Sequence, residues 1–99
     1  MLSVDLAIYA DALAGESAAL TARAERLRAR LREAGIERAA RRALPRGSVE
    51  QLQRIGLLRT VDEHAVRAEL SQLEDALEAL GALQSWVEEK LESAGAVSE

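Results

Sequence analysis

The chain has 99 residues and a net charge of −4; it is 48% apolar but only 2% aromatic, and it has one Pro and no Cys. A chain this short forms one small domain with a thin core, and its Ala-, Leu-, Glu- and Arg-rich composition favours long helices over strands. The lack of Cys excludes a disulfide framework and zinc-thiolate chemistry and fits a reducing compartment, so a cytoplasmic protein is expected.

The N-terminal "MLSVDLAIYADALAG" has no basic leader and is interrupted by Asp5 and Asp11. It does not read as a signal peptide, and no run reaches the roughly 18 apolar residues of a membrane span. Ser3 is an N-cap type, and Asp5 follows in the first turn, where the helix dipole favours it. Leu6, Ala10, Leu13, Ser17, Leu20, Ala24, Leu27, Leu31 and Ala34 then recur with alternating spacings of four and three. That heptad stripe predicts a long helix over about 3–43, with Leu at one seam position and mostly small residues at the other. After Gly35 the stripe moves to Ile36, Ala40, Ala43 and Leu44, and the strongly helix-forming "IERAARRAL" predicts a helix that continues, straight or slightly kinked, to about Ala43. Pro45 ends the helix.

"SVEQLQRIGLL" predicts a short helix over about 48–55, with Ser48 and Gln51 as a capping box and Gly56 as its stop. Thr60 and Glu63 form a second capping box, opening a helix over about 60–94. Val66, Leu70, Leu73, Leu77, Leu80, Gln84, Val87, Leu91 and Ala94 keep the four–three spacing throughout, Gly95 ends the helix, and 95–99 read as a frayed tail.

Two long helices joined by a short one predict an all-α antiparallel hairpin, coiled-coil-like along its seam. Residues 23–46 hold nine Arg and three Glu, whereas 61–99 hold ten acidic residues against Arg67 and Lys90. The antiparallel arrangement sets these blocks side by side, which accounts for the Arg cluster without an outside partner. Each exposed pair contributes only about 0–1 kcal/mol, but the pattern disfavours other arrangements.

A second stripe runs beside the first. It comprises Val4, Ile8, Ala12, Ala19 and Ala22 on the first helix, and Ala65, Ala68, Ala76, Ala79, Leu83 and Trp86 on the last. A helix apolar on two stripes needs two neighbours, and another copy of the chain is the simplest second neighbour. The expected interface is Ile8, Tyr9, Ala12, Ala19, Ala76, Ala79, Leu83 and Trp86, in a homodimeric four-helix bundle or a higher assembly. Gln84 at a seam position would fix register, and Gly81 beside it would permit close approach.

The sole His, His64, follows Asp62 and Glu63, but adjacent helical residues point about 100° apart and do not converge on one metal. No paired Glu-x-x-His spacing, phosphate-binding Gly loop or nucleophile–base set is present. The chain is therefore expected to be non-enzymatic, with no catalytic residue, cofactor or metal. Small helical-hairpin proteins of the Trp-x-Gly class carry that motif in the turn; here the turn reads "RIGLLRT" and Trp86 lies on a helix.

These features predict a helical scaffold or protein-interaction module that self-associates. One alternative is a nucleic-acid-associated regulator using segment 23–46, with Arg38, Arg41, Arg42 and Arg46 near the loop. Against it stand a pI of about 5.1 and the lack of interleaved aromatics. The other is an accessory or chaperone subunit that binds a helical partner protein.

Overall fold

The computed structural model describes residues 2–97, with side chains described over 4–94. Three helices follow in order: α1 (Leu2–Ala43), α2 (Arg46–Arg54) and α3 (Glu63–Val97). No strand occurs among the described residues, and α1 packs against α3 as the hairpin that the two heptad stripes predict.

The chain divides into two compact units, Met1–Ala24 with Ser71–Glu99, and Glu25–Leu70. In the first, Leu13, Ala24, Leu73 and Val87 are buried, and Leu6, Leu20, Leu77, Leu80 and Gln84 are partly covered. Every one of these lies at a seam position. Val87 is only 1% exposed, and burying such a side chain stabilises by about 1.5–3 kcal/mol. In the second unit the buried residues are Ala34 and Leu58.

The helix ends correct several sequence expectations. α1 already includes Ser3, whose side chain lies outside the described residues. It runs unbroken through Gly35, and a Cβ there would meet Arg38 Nη2 at 3.6 Å, an ordinary contact. α2 begins at Arg46, so Ser48 sits inside it and the Ser48–Gln51 capping box is not made. Pro45 is the N-cap, without a side-chain cap bond; the Val49 N–H donates to its carbonyl at 3.1 Å. A proline fits this position because its fixed φ sets the chain's entry and its missing N–H has no partner to lose.

α3 begins three residues later than expected. The Ala65 N–H donates to Asp62 Oδ1 at 3.1 Å and the Val66 N–H to the Asp62 carbonyl at 3.1 Å. Asp62, not Thr60, therefore caps the helix, and its charge also favours the dipole's positive end. At the far end Gly95 does not stop α3, which continues to Val97, because one glycine lowers helix propensity by only about 1 kcal/mol. Residues 98 and 99 of the expected tail lie outside the described residues.

Gly56 does end its helix. Its φ is +81°, its N–H donates to the Gln53 carbonyl at 3.1 Å, and the Leu57 N–H donates to the Leu52 carbonyl at 2.9 Å. This is the six-to-one closure that a left-handed residue after a helix makes possible. The reversal folds Leu58 inward, where it is buried, while Leu57 stays 66% exposed.

Candidate functional site

In the first unit the heptad register fixes which faces the hairpin leaves open. With Ala10 and Ser17 at a and Leu13 and Leu20 at d, Tyr9 falls at g, Ala12 and Ala19 at c, and Ile8 at f. On α3, Gln84 at a and Val87 at d place Ala76 and Leu83 at g, and Ala79 and Trp86 at c. A cavity of about 120 Å³ is lined by Ala10, Leu13, Ala14, Gln84, Val87 and Glu88. Ala14 and Glu88 are both e residues, so e meets e on that side of the seam and g meets g on the other.

The two sides differ in chemistry. On the e and b side α3 carries Glu74, Glu78, Glu88 and Glu92. The c and g side gathers the sequence-predicted interface residues, with Ile8 flanking it. Ile8 is 64% exposed, Trp86 51% and Tyr9 45%; Ala12, Ala19, Ala76 and Ala79 are exposed, and Leu83 is partly covered. Charge on this face is sparse. Asp5 occupies a c position, Glu16, Arg23 and Lys90 occupy g positions, and Lys90 Nζ lies 5.6 Å from the Trp86 ring centroid. That cation–π contact covers part of one face of the indole, and Trp86 remains 51% exposed.

Gly81, expected to admit a close neighbour, does not do so: a Cβ built there meets nothing within 4 Å. It is an e residue, on the acidic side. Gln84 lines the small cavity, which is large enough to hold water that could satisfy its amide.

The candidate nucleic-acid residues lie in the second unit, and most are engaged within it. Arg38 Nη1 is 3.1 Å from Glu63 Oε2, Arg41 Nη2 donates to the Arg59 carbonyl at 2.8 Å, and Arg46 Nε is 3.9 Å from Glu50 Oε1. Arg42 is exposed. His64 is exposed as well, and no group of three His, Asp or Glu among the described residues is placed to hold a metal.

Sequence reasoning missed a larger feature. A cavity of about 370 Å³ in the second unit is lined by Glu33, Ile36, Glu37, Ala40, Leu57, Leu58 and Arg59. Glu37 Oε2 is buried there without a hydrogen-bond partner, while Arg59 reaches Glu33 Oε2 at 3.8 Å. The displaced stripe at Ile36 and Ala40 was the signal, since it leaves the α1–α3 seam exactly where the loop folds back. No described helix is long and apolar enough to cross a membrane. Comparison with protein-family models found no match, and comparisons with curated proteins and with solved structures found none either.

Proposed function

We propose that this protein is a non-enzymatic helical scaffold that self-associates through the c and g face of its first unit. The observation that carries this reading is the clustering of exposed apolar groups on one side of the hairpin: Ile8, Tyr9 and Trp86 around a floor of Ala12, Ala19, Ala76 and Ala79. Exposed apolar side chains gathered on one side of a hairpin mark a candidate protein contact.

A second copy would complete a four-helix bundle, the usual way for a hairpin with two apolar stripes to cover both.

Sedimentation of the intact chain at micromolar concentration tests the reading. A dimer or larger species is expected, and Trp86→Ala should shift it toward monomer, because a central aromatic anchor carries a large share of interface energy. A well-folded monomer across that range would overturn self-association and leave the face to a different helical protein.

A further inference from the structure

We infer that the second unit binds a free α-amino acid with an aliphatic side chain, held between Glu37 and Arg59 in the cavity under the loop. That cavity, of about 370 Å³, falls at the small end of the range for small-molecule sites. It belongs wholly to the second unit, so the site does not depend on self-association through the first.

The lining divides into three chemistries. Glu37 lines the cavity, and its Oε2 is buried without a hydrogen-bond partner. A carboxylate oxygen left in that state is costly, and a cationic donor would serve it best. Arg59, on the loop, brings a guanidinium that is only loosely engaged. Its Nη2 is 3.8 Å from Glu33 Oε2, beyond hydrogen-bond length, and its side chain is 59% exposed. Glu33 Oε2 already accepts a hydrogen bond from Arg30 Nη1 at 3.2 Å, so Arg59 can turn to another anion without stranding Glu33. The remaining wall is aliphatic: Leu58 is buried, whereas Ile36 and Leu57 are 70% and 66% exposed.

These three chemistries match the three parts of one ligand. An ammonium supplies the donors that Glu37 Oε2 lacks. A carboxylate takes the forked guanidinium of Arg59. An aliphatic side chain against Ile36 and Leu57 removes apolar surface from water on both partners. Spacing agrees as well. Glu33 and Glu37 are four residues apart on one face of α1, about 5–6 Å between Cβ atoms. The guanidinium beside Glu33 and the orphaned oxygen of Glu37 are therefore about one turn apart. An α-ammonium and α-carboxylate can bridge that gap with a hydrogen bond at each end. A simple amine would leave Arg59 unused, and a fatty acid would add a second carboxylate beside Glu37, which like-charge repulsion disfavours.

Titration of the intact chain with L-leucine to millimolar concentration, followed by backbone amide shifts, tests the site. Saturable shifts should concentrate at residues 33–40 and 57–59. Isoamylamine, which lacks the carboxylate, and isocaproate, which lacks the ammonium, should each bind about tenfold or more weakly. Alanine, which lacks most of the aliphatic group, should weaken binding by a similar factor. Glu37→Gln and Arg59→Gln, each checked for helical content, should also reduce leucine affinity about tenfold or more. The ligand series needs no substitution, so it is read even where a variant fails to fold. Absence of shifts with leucine would overturn the site, as when Arg59 closes on Glu37 by itself. Amine or acid binding as tightly as leucine, or leucine binding untouched by both substitutions, would overturn it too.

Discussion

Arg38 of α1 and Glu63 in the first turn of α3 form an ion pair, Nη1 to Oε2 at 3.1 Å, and Glu63 also holds Arg67 Nη2 through its other oxygen at 3.2 Å. One largely covered carboxylate thus serves a cation from each long helix. Arg38→Ala, Glu63→Ala and the double variant should give a coupling of about 0.2–1 kcal/mol in urea unfolding, shrinking as salt rises. No measurable coupling at low salt would mean that the pair only decorates the surface.

Asp62 is the cap that the structure substitutes for Thr60. Asp62→Ala should cost about 1 kcal/mol of unfolding free energy, whereas Thr60→Ala should change it by no more than a few tenths. Equal losses from the two variants would restore the Thr60 capping box.

Two glycines should respond in opposite directions to the same substitution. Gly56 has φ +81°, so Gly56→Ala forces a left-handed alanine and should destabilise by about 1 kcal/mol. Gly81 lies inside α3 with open space where a Cβ would go, so Gly81→Ala should stabilise by about 0.5–1 kcal/mol. Urea midpoints of both variants settle the signs.

Glu37 keeps a buried carboxylate oxygen without a partner beside Leu58 and Ile36. Removing an unsatisfied buried group recovers about 1–3 kcal/mol of desolvation. Glu37→Met, which keeps the side chain's length, should raise the thermal midpoint; a lowered midpoint would indicate that the carboxylate is served in solution.

Gln84 interrupts an otherwise apolar seam and lines a cavity of about 120 Å³. Gln84→Leu should stabilise the hairpin by about 1 kcal/mol while loosening its register, as polar seam residues trade stability for specificity. Denaturant unfolding reads the first effect, and a broadened sedimentation profile reads the second. Unchanged stability with a single sharp species would remove Gln84 from both roles.

The hairpin and its seam were legible in the sequence because heptad spacing is local: residues three and four apart share a helix face whatever surrounds them. From Leu6 to Ala34 and from Val66 to Ala94, every stripe residue is buried or partly covered. Helix starts were less legible, since Pro45 and Ser48, or Thr60 and Asp62, compete as caps, and the winner depends on how the loop enters the helix. The cavity under Leu58 and the orphaned Glu37 oxygen were not legible, because both arise from a loop folding back across α1. The second apolar stripe could be read residue by residue, but its exposure could not. Only tertiary structure shows that Tyr9, Ala12, Ala19, Ala76, Ala79 and Trp86 remain uncovered, because burial depends on neighbours in space and the hairpin supplies each long helix with one seam.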